Sequence, residues 1–361
     1  MTSIAIILGT RAEFLKCAPL LQYLQNNGVD HRVMLTGQNN VSDMVTDFGI
    51  RNSNLVELKS FRGVSLSLAT GLKRTPALIS EIRSQLDRMD VKCAVFHGDT
   101  TTTFAAAIAA KRSKREAAHI EAGLRSGSVL EPVPEEFFRR VADGRASILF
   151  APSREALENL RREGKQGKSV LVGNTICDVL NQVSKRVTST SYNERFVLVT
   201  SHRYENIFIK SRLKRILQII DACRLPVYWP LHTMTEAQLR RFGLLEQLRE
   251  MSNVHILPTL SYVDFVGMLT KSAYVITDGG GIEEESLILG KPCLLLRRRT
   301  ERGEGLRIGL TFLSKLDLRY SRQIIDKLDS GNLPTPTMHN PYLFENSPTE
   351  LIGTFLHRRF G

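Results

Sequence analysis

Residues 4–16, Ile4-Ala5-Ile6-Ile7-Leu8-Gly9-Thr10-Arg11-Ala12-Glu13-Phe14-Leu15-Lys16, read as a buried strand, a glycine turn and the start of a helix. The run Ile4–Leu8 has no polar face, which fits a parallel strand covered by helices on both sides. It is too short to span a membrane and lacks the basic flank of a signal peptide. The same grammar repeats outward from here. His31–Thr36, Lys92–His97, Ala117–Glu121, Ile148–Ala151 and Val170–Val172 are predicted strands. Phe196–Thr200, Val227–Leu231, Val254–Leu257, Tyr274–Thr277 and Pro292–Leu296 follow. Helical patterns lie between them; Leu213, Ile216, Leu217 and Ile220 carry the three-and-four spacing of an apolar stripe. Alternation of this kind predicts an α/β fold built of doubly wound parallel sheets.

At 361 residues the chain is long for one core, so two domains are expected. The polar stretch Ser184–Glu194 breaks the alternation, which restarts at Phe196. That puts a domain boundary between 173 and 194. Past Gly331 come Pro334, Pro336, Pro341 and Pro348, then a helical pattern around Leu351–Leu356. The expected division is 1–173, 174–345, and a helix within 346–361.

Composition excludes several classes. With 42% hydrophobic and 24% charged residues, the chain has the make-up of a water-soluble globular protein. Its five cysteines, Cys17, Cys93, Cys177, Cys223 and Cys293, show no CxxC spacing, so neither a zinc site nor a disulfide framework is expected. Free thiols fit a reducing cytoplasm. The net charge is +12, yet the cations are spread along helices without interleaved aromatics. An anionic small substrate fits that distribution better than nucleic acid, and no membrane partner is expected.

In open α/β sheets, ligands meet the loops beyond the carboxyl ends of the strands. The glycine turn at Gly9 offers backbone amides to an anion, with Arg11 beside it; taken alone these residues read more readily as a plain strand–helix turn with two surface cations. Asp99 and four threonines follow the Lys92–His97 strand, where Asp99 fits either a catalytic acid or a helix N-cap. Glu121 ends the next strand, and Pro134 opens a helix carrying Glu135 and Arg139 one turn apart. Three acids on one rim suit proton transfer near neutral pH. In the second half His202 and His232 end strands, and Gly279-Gly280-Gly281 precedes a helix whose first turns hold Glu283 and Glu285. Such a triplet suits a diphosphate. Neither a Walker pattern nor G-x-G-x-x-G after the first strand occurs, and no metal-ligand cluster is spelled out.

Together "GTRAEFLK" (9–16), "HGDTTTT" (97–103), "IEAGLRSG" (120–127), "PVPEEFFRR" (132–140) and "GNTICD" (173–178) occur in the order found in one family. "SHRYEN" (201–206), "TDGGGIEEE" (277–285), "GKPCLLL" (290–296), "TER" (300–302) and "NPY" (340–342) continue it. The chain resembles the UDP-N-acetylglucosamine 2-epimerases over residues 3–345. That resemblance implies the glycosyltransferase-B architecture: two Rossmann-like domains facing a central cleft, with a final helix crossing back to the first. It implies a UDP-sugar substrate, no cofactor, no metal, and a homodimer. Gly280 and Gly281, with Gly279 leading into them, would meet the phosphates, Glu285 the ribose, and Phe265 would lie near the uracil. Arg11, His202 and Arg302 would hold the diphosphate. Lys16, Asp99, Glu121, Glu135 and Arg139 would face the sugar. Gln38, Arg203 and His232 fit a second, activating UDP-sugar site of many bacterial members, where Asn39 and Gly71 depart from the pattern. Gly279, Glu283, Phe138, Arg298 and Arg299 also depart, standing for serine, glutamine, asparagine, aspartate and threonine. The activity implied is interconversion of UDP-GlcNAc and UDP-ManNAc through elimination of UDP and its re-addition. The alternatives are a hydrolysing 2-epimerase releasing ManNAc and UDP, a glycosyltransferase on the same scaffold, and a non-catalytic UDP-sugar-binding regulator.

Overall fold

A computed structural model describes residues 3–61, 68–127, 134–187, 194–332, 340–342 and 345–361, with side chains from 73 onward in the helix Leu68–Arg88. Most of the polar stretch Ser184–Glu194 lies outside the described residues, as do Pro132, Val133, Pro334 and Pro336, and Gly71 lies in the helix Leu68–Arg88 ahead of its described side chains. The chain divides into two units, Met1–Val179 with Tyr342–Gly361, and Leu180–Pro341.

The first unit holds seven strands: β1 Ile4–Leu8, β2 His31–Leu35, β3 Leu55–Glu57, β4 Cys93–His97, β5 Glu116–Ile120, β6 Ile148–Ala151 and β7 Lys168–Leu171. All pair in parallel, in the order β3-β2-β1-β4-β5-β6-β7. Ile4 of β1 stands opposite both His31 and Cys93. β1 and β4 are buried at every position, which is why they read as unbroken apolar runs. The order reverses between β1 and β4, so the loops after Leu8 and His97 emerge at a topological switch point.

One face is covered by the helix Thr101–Arg112, whose Ala105, Ala106, Ala107, Ala109 and Ala110 are fully buried. Those small side chains let the helix Leu68–Arg88 pack closely against it. The helix Pro348–Phe360 belongs to this unit as well. Ser347 caps it, and the Thr349 amide donates to Asp178 at 2.8 Å. It lies on the helix Arg11–Asn26, where Gly353 fits against the Tyr23 ring and the Tyr23 and Thr354 hydroxyls meet at 3.0 Å. Arg359 reaches Glu116 at 3.0 Å.

The second unit repeats the plan with six strands: β8 Val197–Thr200, β9 Val227–Pro230, β10 Val254–Leu257, β11 Tyr274–Thr277, β12 Cys293–Leu295 and β13 Thr311–Leu313. Their parallel order is β10-β9-β8-β11-β12-β13, and the reversal falls between β8 and β11. Trp229 and Tyr274 are its largest fully buried side chains. Each unit is a doubly wound α/β sheet, as the sequence predicts. Two strands escaped that reading, β3 and β13, each three residues long and each at a sheet edge. No helix among the described residues is long and apolar enough to cross a membrane.

Candidate active site

In the first unit the β1 loop is folded around its own carboxylate. Thr10 and Glu13 form a capping box: the Thr10 hydroxyl accepts from the Glu13 amide, and Glu13 Oε2 accepts from the amides of Gly9 at 2.7 Å and Thr10 at 2.8 Å. The amides read as a phosphate cradle are therefore engaged within the chain. Gly9 has no alternative, because a Cβ there would run into Thr102 and Gln38. Burial raises the Glu13 pKa above its ordinary value, against the pull of Thr100 and the two amides. Arg11 lies at the surface, half exposed, with both guanidinium nitrogens on Asp43 at 2.6–2.7 Å.

Lys16, two turns into this helix and only 6% exposed, is no surface cation. Its Nζ meets Glu121 at 2.6 Å, and both side chains are buried. Glu121 follows β5 with φ of 70°, a left-handed conformation costing a non-glycine residue ~1–3 kcal/mol. Its neighbours in the chain are tightly placed. Gly123, at φ 87°, sits where a Cβ would strike the Ala156 carbonyl, and the Gly98 amide donates to Ile120 at 3.0 Å.

After β4, Thr100 caps the helix Thr101–Arg112, accepting from Thr102 and Thr103. Asp99 is thereby released from the capping role the sequence left open. It meets the guanidinium of Arg139, which is 2% exposed. Glu121 Oε2 lies 3.4 Å from the space beside Gly98, the residue before Asp99. Lys16, Glu121, Asp99 and Arg139 thus gather at the switch point as two carboxylate–cation pairs. Removing one member of a buried pair leaves an uncompensated charge, at ~3–5 kcal/mol. Glu135 opens the helix Glu135–Asp143 one turn before Arg139 and is half-buried. Phe138 packs on Phe104 with ring centroids 4.9 Å apart.

Beneath these residues runs a buried support to which sequence reasoning assigned no role. His119 places Nδ1 on Asp143 and Nε2 on the Gly98 carbonyl, each at 2.7 Å. Arg125 bridges Asp143 and Glu163, both at 2.7 Å. Burial alone would raise Asp143, but His119 and Arg125 hold it below the usual carboxylate range. The Arg125 hydrogen bond likewise draws Glu163 down to about 2.

In the second unit Asp278 is the organiser. Fully buried, it accepts from the Ser201 hydroxyl, the His202 and Arg203 amides and the Asn206 side chain at 2.7–3.2 Å. It ties the β8 loop to the β11 loop across the switch point. His202 is left with an exposed ring whose centroid stands 6.1 Å from that of His232. His232 Nδ1 accepts from the Met234 amide at 3.2 Å, and burial, then His202, lowers its pKa.

Gly279 caps the helix Gly280–Ile288. A Cβ on Gly280 would meet Arg302, while the position at Gly281 faces open space. Arg302 is 7% exposed and already holds Glu284 at 2.6 Å and Glu301. Glu285 accepts from the Tyr262 hydroxyl at 2.8 Å, and burial, then Glu285, raises the Tyr262 pKa well above its ordinary value. Phe265 is half-buried against the cluster of Phe196, Leu198, Met268, Leu269 and Val275. Tyr262 lies in no motif that marks it in sequence, and Glu284 and Glu301, though inside the "TDGGGIEEE" and "TER" blocks, take their part from the packing. All five cysteines are buried and free, and no group of three His, Cys, Asp or Glu among the described residues could hold a metal ion.

Two doubly wound units, each with polar loops at its switch point, define a glycosyltransferase-B class protein. The MurG of Acinetobacter baumannii, at 10% identity, shares that fold with a TM-score of 0.61 over 99% of this chain and all of that one. The chain belongs to the UDP-N-acetylglucosamine 2-epimerase family, whose model matches residues 22–353. It is 31% identical to the UDP-N-acetylglucosamine 2-epimerase of Campylobacter jejuni over 94% of this chain and 93% of that protein. It is also similar to the UDP-GlcNAc 2-epimerase of Methanocaldococcus jannaschii, solved in complex with UDP-GlcNAc and UDP. There the TM-score is 0.86 at 28% identity, over 98% of this chain and 99% of that one.

Proposed function

We propose that this protein interconverts UDP-GlcNAc and UDP-ManNAc. A carboxylate of the first unit takes the C2 proton while UDP departs with the C1–O bonding electrons, leaving a C1–C2 double bond. Return of a proton to the opposite face of C2 and re-addition of UDP at C1 completes the inversion. Asp99, Glu121 and Glu135 are the proposed proton carriers, and Lys16 and Arg139 hold the acids and the sugar in place. Gly280, Gly281, His202, Arg302 and Arg11 take the diphosphate, Glu285 the ribose, and Phe265 lies by the uracil. These cations and amides offset the charge on the departing UDP. The observation that carries the reading is the buried pair Lys16–Glu121 beside the pair of buried Arg139 with half-buried Asp99, in a chain of this family.

The test is incubation with UDP-GlcNAc in deuterium oxide and NMR of every product. UDP-ManNAc bearing deuterium at C2 is expected. Free ManNAc with UDP would move the assignment to the hydrolysing reaction; substrate recovered unlabelled would refute both. Asp99→Asn and Glu121→Gln should each lower C2 exchange by ~100-fold or more while UDP affinity, by calorimetry, stays near wild type. Near wild-type turnover in either variant would remove that residue from the proton-carrying set.

A further inference from the structure

Glu13 is 3% exposed and lies within the chain's own anion pocket. One oxygen takes the Gly9 and Thr10 amides, at 2.7 and 2.8 Å. The other takes the Thr100 hydroxyl at 2.5 Å, with the Thr103 hydroxyl at 3.3 Å. The Thr100 oxygen already accepts from the amides of Thr102 and Thr103, so its single hydrogen is directed at Glu13. Thr103 also sits 2.6 Å from the His97 carbonyl. One carboxylate therefore joins the β1 loop to the β4 loop across the switch point. Asp99 is the residue directly before Thr100, and Lys16 lies one turn beyond Glu13 on the same helix.

A capping box needs only the amide contacts and the Thr10 hydroxyl. The contact from Thr100, 87 positions away, exceeds that need. We infer that Glu13 is a positioning residue, the chain's own stand-in for a bound phosphate, setting Asp99 and Lys16 against one another through the Thr100 hydroxyl and the first helix. It follows that the Gly9 and Thr10 amides take no phosphate of the substrate, and that backbone-amide contact with the diphosphate falls to the second unit's Gly280–Gly281 loop. The inference rests on the epimerase reading, since it concerns the geometry of the proposed proton carriers.

The experiment compares Glu13→Ala and Glu13→Gln with wild type for C2 exchange in deuterium oxide, UDP affinity and melting temperature, with and without sodium formate. A displacement of about 1 Å costs on the order of 100-fold in rate. Glu13→Ala is expected to lose about that much kcat with KM and UDP affinity within about twofold of wild type. Formate, a carboxylate small enough for the vacated pocket, should restore part of that kcat. Glu13→Gln fills the pocket but turns an amide N–H₂ toward an oxygen already accepting two hydrogen bonds. It should lose kcat without formate rescue, and it serves as the folded reference if Glu13→Ala does not fold. Either variant at near wild-type kcat overturns the inference. So does Glu13→Ala that folds and loses kcat but gains nothing from formate, which would leave Glu13 a cap alone. A UDP affinity weakened at least tenfold in Glu13→Gln overturns the division of phosphate binding. Should wild type itself show no C2 exchange, the epimerase reading fails first, and the two failures are told apart.

Discussion

Glu283 is a carboxyl group only 1% exposed, both of whose oxygens lie within 3.0 Å of one hydroxyl, that of Thr300. Burial pushes its pKa up to about 8, with the charge of Arg302 pulling the other way. The unfolded chain releases this proton near the ordinary 4.5, so between 4.5 and 8 the folded state holds one proton more. Stability contributed by that proton is complete below the lower value and is lost as pH rises toward the upper one, at up to ~1.4 kcal/mol per pH unit. Denaturation of wild type and Glu283→Gln across pH 5–8.5 measures it: the wild-type advantage should shrink as pH rises. A difference independent of pH would show the carboxyl to be ionised throughout. At this level sequence was an uneven guide. Asp99 and Glu121 stood out because each follows a strand, and Arg139 because it stands one turn beyond Glu135, which opens a helix. Thr10-x-x-Glu13 is spelled as a capping box, but nothing local announces that Thr100 will arrive from 87 positions on. His119 was passed over for the same reason, since both its partners, Gly98 and Asp143, are distant in the chain.

The elements that carry the site were the easiest to read. β1, β4, β8 and β11 lie inside their sheets, are buried at every position, and run straight into polar loops, glycine-bearing after β1, β4 and β11 and Ser201-His202-Arg203 after β8. β3 and β13 offer only three residues each, and an edge strand has one neighbour instead of two. Too little pattern accumulates there to separate strand from loop. The helix Pro348–Phe360 is legible as a helix; its seat is not, since the close approach of Gly353 to Tyr23 joins positions more than 300 residues apart. Gly353→Leu should force the two helices apart and destabilise the first unit by ~1–3 kcal/mol, as overpacking does. Urea denaturation followed by far-UV circular dichroism will show it. An unchanged midpoint would mean that the contact tolerates a side chain.

Each unit buries its own apolar residues, and those of the second include the chain's single tryptophan, Trp229, fully buried. Its fluorescence follows that unit alone, whereas circular dichroism follows both. Deleting residues 348–360 strips Ile352, Leu356 and Phe360 from the first core. Dichroism should then acquire an early transition on denaturation, while the Trp229 transition keeps its midpoint. A tryptophan transition moved by the same amount would show the two cores unfolding as one. The helix that completes the first unit is encoded after the whole of the second. On the ribosome the seven-stranded sheet is therefore finished long before its covering helix exists. At ~5–20 residues per second, that interval is roughly 10–40 s. Throughout it the flank of the helix Arg11–Asn26 around Tyr23, which Gly353 and Thr354 cover in the finished fold, stays open to solvent.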